Sequence, residues 1–249
     1  MSKQLLIYNN IQPVSSEAHR DWSIQIDNHA FATELNSVPL LATEIASVAR
    51  ELPVIFAKTQ DDGGFVPLGV LGLKKGQNLF VDAEQKLTLR YVPGFLRRYP
   101  FAFANDGKSE NFTLCIDDQF EGWNKDGSTG KRLFTEQGEQ TEELKGVMDF
   151  LKDYQYRAEL TNVFCKRLGE LELLEPMEAN IKLNNNKEGG FNLTGFYVVN
   201  REKLKALKDE DVLDLFKKDG LELIFSHLQS MQNLNSLVNK YAEVNQDAA

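Results

Sequence analysis

The segment from Arg90 to Phe103 has the residue types best suited to binding chemistry. It reads RYVPGFLRRYPFAF and places five aromatic residues and three arginines within 14 positions. A guanidinium group pairs with carboxylates or phosphates through parallel hydrogen bonds, and its face stacks on aromatic rings. The segment therefore predicts a site for an anion or a π-face, with candidate residues Arg90, Tyr91, Arg97, Arg98 and Tyr99. The alternative is a structural corner, with the rings in the core and the arginines paired to acidic residues.

A second pattern suggests a metal site. His19 and Asp21 form a His-x-Asp string, and His227 lies far along the chain. Non-haem Fe(II) oxygenases hold iron with two histidines and one carboxylate, so these three residues are candidate ligands. The alternative is that they are structural or surface residues. His227 falls in a predicted helix, whereas such sites usually take their second histidine from a strand.

Other strings fail on the residues that their chemistry needs. The run GSTGKR at 127–132 lacks the first glycine and the final hydroxyl residue of a phosphate-binding loop. The run NKDG at 124–127 lacks both terminal carboxylates of a calcium loop. No nucleophile elbow or other catalytic set is recognisable, so catalytic residues and any cofactor are left unassigned.

These residues must be positioned by a mixture of strands and helices. Trp22, Ile24 and Ile26 alternate as in a half-buried strand, and apolar residues at helical spacing predict a helix that begins at Pro39 and ends at Pro53. Thr141 is predicted to cap a helix that reaches about Leu171. Further strands are predicted over 54–58, 65–73, 78–82 and 112–116, a hairpin over 179–183 and 191–199, and helices over 201–207, 210–217 and 221–244.

The order of these elements predicts an α+β fold. Short connections, such as the reversal at 61–64, force neighbouring strands to pair antiparallel. We expect an antiparallel β meander covered by helices, with a helical C-terminal part. We expect one domain over residues 1–249, with a possible subdivision near 121–138 into a β-rich part, 1–120, and a helix-rich part, 139–245.

Composition limits the possible partners. The net charge is −9 and the pI about 5.0, which disfavours nucleic acid because phosphate neutralisation needs a basic surface. We expect no membrane span, since no run of about 18 uncharged apolar residues occurs. The apolar run at the N-terminus is too short for a secretory signal. The two cysteines, Cys115 and Cys165, are expected to be buried thiols. We therefore expect a cytoplasmic location, or else export without a cleaved N-terminal signal.

Several strings, in order along the chain, resemble the bacterial SapC family. They are HRD at 19–21, NSVPL at 36–40, LPVIF at 52–56, LGL at 71–73, NLFV at 78–81, YVPGFLRRYPF at 91–101, LF at 133–134, LLEP at 173–176, GFYVV at 195–199 and HLQSM at 227–231. The resemblance covers nearly the whole chain, and the arginine-aromatic string is its most specific part. The name of the family comes from an association with surface-layer proteins, and its members are often labelled peptide-transporter permeases. The resemblance implies halogenase-like and cupin-like gene neighbours, and so an accessory or enzymatic partner role.

Three interpretations of function follow. The leading hypothesis is a cytoplasmic accessory or ligand-binding protein, in which an acidic small molecule or a segment of a protein partner docks near Arg97 and Arg98. The second is a metal-dependent enzyme of the oxygenase type that uses His19, Asp21 and His227. The third is a surface-layer-associated structural protein.

Overall fold

The chain folds as an α+β protein, as the sequence predicts. The computed structural model describes residues 7–59, 63–104, 112–181 and 191–246. Its strands are β1 (Ile11–Pro13), β2 (Ser23–Ile24), β3 (Ser37–Pro39), β4 (Val54–Lys58), β5 (Phe65–Val70), β6 (Phe101–Ala104), β7 (Thr113–Asp117), β8 (Trp123–Asn124), β9 (Lys131–Arg132), β10 (Leu174–Ile181) and β11 (Phe191–Val199). Its helices are α1 (Ile45–Val48), α2 (Gly94–Arg97), α3 (Glu142–Glu170), α4 (Arg201–Lys205), α5 (Asp209–Lys217), α6 (Gly220–Ser230) and α7 (Asn233–Gln246).

The largest sheet has five antiparallel strands in the order β10-β11-β4-β5-β3. Its β4–β5 and β10–β11 hairpins are both predicted from the sequence, although β10 begins at Leu174, five residues before the predicted start, and residues 182 and 183 lie outside the described residues. Residues 61 and 62 of the first reversal and the whole of the second, 184–190, lie outside the described residues. In β4 the side chains of Val54 and Phe56, on one face, are fully buried, while those of Ile55 and Ala57, on the other face, are only partly buried, so one face of the sheet meets the core.

Two smaller antiparallel sheets complete the β structure, with the orders β1-β7-β6 and β8-β2-β9. The second includes strands from the region of the possible subdivision, 121–138, because β8 and β9 both pair with β2. The strand predicted from Trp22, Ile24 and Ile26 is correspondingly short. Ile24 is buried in it, but the side chain of Ile26 is half exposed beyond its end.

Two element predictions are wrong. Pro39 does not begin a helix: it ends β3, an edge strand, and the helical turns start at Ala42. An edge strand tolerates proline because the missing N–H faces away from the ladder. The strand over 78–82 does not form either, since Asn78 donates to the carbonyl of Ala32 and accepts from the backbone N–H of Phe80. Side-chain bonds of this kind compete with a strand ladder.

Helix α3 follows its prediction closely. Thr141 caps it by accepting a hydrogen bond from the backbone N–H of Leu144 at 3.3 Å. The helix packs against β5 and against the helical turn that precedes α1. A hydrogen bond of 2.8 Å from the backbone N–H of Ala42 to Oγ1 of Thr161 fixes that contact. This placement brings the middle of α3 beside α2 and the arginine-aromatic segment.

The C-terminal part is helical, but the helix predicted over 221–244 is divided into α6 and α7 at Met231 and Gln232. Helix α6 packs on α1, α5, β4 and β11, with Ile224 fully buried. In the described part of the chain, no helix is both long enough and apolar enough to cross a bilayer.

Candidate functional site

The arginine-aromatic segment and helix α3 form the two walls of a groove. Helix α2 is only four residues long and begins after Pro93, whose φ of −56° and ψ of 145° are typical of a residue that precedes a helix. Successive helical residues project about 100° apart, so Arg97 and Arg98 cannot share an environment. The side chain of Arg97 is 46% exposed at the groove, whereas Arg98 is 6% exposed and faces inward.

Arg97 is held between two aromatic rings. Its guanidinium carbon lies 5.1 Å from the ring centroid of Phe150 and 5.7 Å from that of Tyr91. Its Nε donates to the carbonyl oxygen of Val92 at 3.0 Å. Its Nη2 lies 3.3 Å from the hydroxyl oxygen of Tyr91 and 3.4 Å from Oε1 of Glu44, which is a long ion pair. The guanidinium is therefore oriented by the protein while much of it is open to solvent.

Arg98 packs inside the protein. Its guanidinium carbon lies 4.6 Å from the ring centroid of Phe95, 4.9 Å from that of Tyr154 and 5.7 Å from that of Tyr8. Burial raises the pKa of Tyr8 to about 12 and also raises that of Tyr154, in both cases against the opposing effect of the Arg98 charge. Stacking of this kind joins α2, α3 and the N-terminal segment, which is a structural role.

Glu44 is buried next to the groove and accepts hydrogen bonds from residues of the arginine-aromatic segment. Its carboxylate is 3% exposed and accepts hydrogen bonds from the backbone N–H groups of Leu41 at 3.0 Å and Gly94 at 2.7 Å. It also accepts one from the hydroxyl group of Tyr91 at 2.8 Å. Burial, with a smaller effect of this hydrogen bond, raises the pKa of Tyr91 to about 12. The Tyr91 phenol therefore stays protonated at neutral pH and acts as a hydrogen-bond donor.

Two cavities open along the groove, and Arg97 and Phe150 line both of them. One, of about 310 Å³, runs from Arg97 along α3 past Gly146 and Val147 to its first turn. The other, of about 290 Å³, lies on the opposite side of Arg97, beside Tyr91 and Glu44. The larger one is at the lower end of the volume range of small-molecule sites.

The structure brings together some of the predicted residues and separates others. Tyr91 and Arg97 lie in the groove, and Arg98 contributes to its floor. Arg90 is exposed, with its backbone N–H bonded to Glu51, and it lies outside both cavities. Tyr99 is buried on the other side of α2, stacked on a phenylalanine ring. Its pKa is raised, first by burial and then by the Asp117 carboxylate that accepts its hydroxyl at 3.2 Å.

Sequence reasoning missed the residues that other segments contribute to the groove. Glu44 comes from the turn before α1, and Gly146, Val147 and Phe150 come from α3. These positions are about 50 residues from Arg97 along the chain, in either direction. The one available signal was Gly146, a glycine within a strongly helical pattern.

The three predicted metal ligands have separate structural roles. Nδ1 of His19 accepts from the backbone N–H of Ser15 at 3.1 Å, and Asp21 pairs with Arg132 at 2.9 Å. His227, in α6, uses both ring nitrogens for hydrogen bonds to the backbone of β4 and β11. Within the ranges that the structure describes, no three His, Cys, Asp or Glu side chains are grouped to hold a metal ion. We therefore do not propose a metal site.

Comparisons with known proteins identify the family of the chain. A search of curated proteins and a search of solved structures each find no match. A protein-family model described as SapC matches residues 14–237, which include both walls of the groove and every helix up to the middle of α7. The chain therefore belongs to the SapC family.

Proposed function

We propose that this chain is a ligand-binding protein that takes a small carboxylate in the groove between α2 and α3. The observation that carries the proposal is the position of Arg97, whose guanidinium is held between two rings and half open to solvent. A guanidinium fixed in this way loses little freedom when it binds a carboxylate, which favours affinity. Tyr91, whose hydroxyl donates to Glu44 and accepts from Arg97, helps to hold the guanidinium in place.

The acidic residues along the groove form their direct ion pairs with cations other than Arg97. Glu142 pairs with Lys145 at 2.7 Å, and Glu143 pairs with Lys131 at 2.9 Å. Asp153 pairs with Arg157 at 2.7 Å. Each of these carboxylates thus contacts another cation, whereas the ion pair of Arg97 within the described part of the chain is the long one to Glu44. This arrangement supports an incoming anion as the better partner of Arg97.

We propose that the protein acts in the cytoplasm as an accessory or carrier of this ligand. Cys115 and Cys165 are both buried free thiols, as is usual where the surroundings are reducing. Fractionation of the native host tests the location: recovery with the cell envelope would favour the surface-layer hypothesis instead. The groove could also take an acidic segment of a protein partner, which the mass of the bound species would reveal.

Native mass spectrometry of protein purified gently from its host tests the binding function. We expect a small acidic adduct on the wild type that Arg97→Gln loses. Arg90→Gln is the matched control, because it removes an exposed arginine from the same segment but outside the cavities. Retention of the adduct by Arg97→Gln would place the site elsewhere. Protein that carries no adduct and takes up no carboxylate from an added panel would contradict the proposal.

A further inference from the structure

We infer that the ligand is an aromatic monocarboxylic acid whose ring lies over Gly146, a choice of ligand class that rests on the proposed function. The carboxylate would pair with Arg97, and the ring would occupy the 310 Å³ cavity along α3. Gly146 is then the residue that determines specificity, because its missing side chain provides the space for the ring.

Gly146 has no structural reason to be a glycine. It lies inside a 29-residue helix, where glycine costs about 1 kcal/mol relative to alanine. Its backbone is in the ordinary helical conformation, so no left-handed φ requires it. A Cβ atom added there would meet nothing within 4 Å. Gly146 is exposed and also lines the cavity, so the open space beside it includes the mouth of the cavity.

The neighbours of Gly146 favour a flat apolar group. Val147, Phe150 and Phe101 line the same cavity, so the ligand body would meet a valine and two phenyl rings. Aromatic rings pack well edge to face or offset against such neighbours. Phe150 lies one helical turn from Gly146, a rise of about 6 Å. A carboxylate at Arg97, beside Phe150, would thus place a single attached ring over Gly146.

The far end of the cavity disfavours a second acidic group. Glu142 and Glu143 lie one turn beyond Gly146 and line the cavity there. Each is paired with a lysine, but both lysine side chains are more than half exposed, so solvent screens these pairs. A ligand with carboxylates at both ends would bring its second charge toward these two acids. The cavity therefore suits a monocarboxylate rather than a dicarboxylate.

Calorimetric titration with defined probes tests this inference. Benzoate is the probe, acetate lacks the ring, benzamide lacks the charge and terephthalate adds a second carboxylate. We expect benzoate to bind at least tenfold more tightly than each of the other three. Gly146→Leu should lower the affinity for benzoate at least tenfold, to about that of acetate, whereas Gly146→Ala should lower it less. Both variants should unfold at or above the wild-type temperature, since each replaces a helical glycine.

The outcomes separate this inference from the proposed function. Equal affinities for benzoate and acetate that both depend on Arg97 would overturn the aromatic ligand and leave the anion site standing. Unchanged benzoate binding in a folded Gly146→Leu variant would also overturn the aromatic ligand and leave the anion site standing. If neither carboxylate binds, or if Arg97→Gln binds benzoate as the wild type does, the proposed function itself fails.

Discussion

The imidazole Nδ1 of His227 donates a hydrogen bond to the carbonyl oxygen of Val54 at 2.7 Å, while its Nε2 accepts one from a backbone N–H of β11 at 3.0 Å. Ser230, one turn later, accepts from the backbone N–H of Val54 at 2.9 Å. Helix α6 thus provides hydrogen-bond partners for both the N–H and the C=O of Val54, the first residue of β4. These bonds need a neutral imidazole, because Nε2 must accept.

Acid should therefore weaken the fold through His227. Burial, the largest effect, lowers the pKa of His227 from 6.5 to about 4, so the unfolded chain takes up a proton more readily than the folded one. The contribution of neutral His227 is fully present above pH 6.5 and is lost progressively as the pH falls toward 4. We expect a loss of about 2 kcal/mol in the free energy of unfolding between pH 7 and pH 5.

Urea denaturation at these two pH values checks this expectation. His227→Gln should be less stable than the wild type at pH 7 and should show a smaller loss between pH 7 and pH 5. His29→Gln is the comparison variant. Burial also lowers the pKa of His29, but this residue is only partly buried, so its replacement should change the pH dependence less than His227→Gln does. An equal pH dependence in wild type and His227→Gln would contradict the role assigned to this imidazole.

The two adjacent arginines should differ in their effect on stability. Arg98→Ala removes a buried side chain from among three rings and should cost about 3 kcal/mol of unfolding free energy. Arg97→Ala removes a long ion pair, two hydrogen bonds and two ring contacts, but the side chain is half exposed, so it should cost about 1 kcal/mol. Chemical denaturation of both variants makes the comparison. Similar losses for the two would mean that the whole segment is a structural corner.

Glu44 should be important for stability although it lies at the candidate site. Glu44→Gln keeps the shape of the side chain but replaces one accepting oxygen by a donating amide. One of the N–H groups of Leu41 and Gly94 then loses its acceptor, at a cost of about 1–3 kcal/mol. Asp153→Asn, at an exposed carboxylate of the same groove, should change stability by less than about 0.5 kcal/mol. Thermal and urea unfolding test both, and equal effects would refute the distinction.

The two cysteines should be unreactive in the folded protein. Burial raises the pKa of Cys165 to about 12, and it also raises that of Cys115. Because the thiolate is the reactive form, iodoacetamide at pH 8 should modify neither thiol until the protein is denatured. Mass spectrometry before and after addition of guanidinium chloride measures this. Rapid modification of either cysteine under native conditions would show that its burial is transient.

Local signals were sufficient to predict the long helix and the hairpins. Thr141 and the apolar residues of α3 lie within one continuous segment, so their spacing alone indicates a helix with its cap. The position of Pro39 was not predictable in this way. Proline is accepted both at a helix start and in an edge strand, and only the pairing of Pro39 with Leu68 across β3 and β5 decides between them.

The candidate site could be predicted only in part, for a similar reason. The residue types at 90–103 indicated an arginine-aromatic site, and the groove does contain Tyr91 and Arg97. The difference between Arg97 and Arg98 depends on the four-residue helix α2, which has too few residues for a periodic pattern. The contact between Arg97 and Phe150 depends on where α3 packs, which no local pattern specifies.

The carboxylate of Glu44 has a consequence for how quickly the groove can exchange its occupant. Three hydrogen bonds to Glu44, from Leu41, Tyr91 and Gly94, do not involve the guanidinium of Arg97. A ligand that draws Arg97 away therefore displaces one long contact and leaves the framework of the groove unchanged. Under the proposed function, loading and release would require no rearrangement of the backbone, which would suit rapid exchange of the ligand rather than long-term storage.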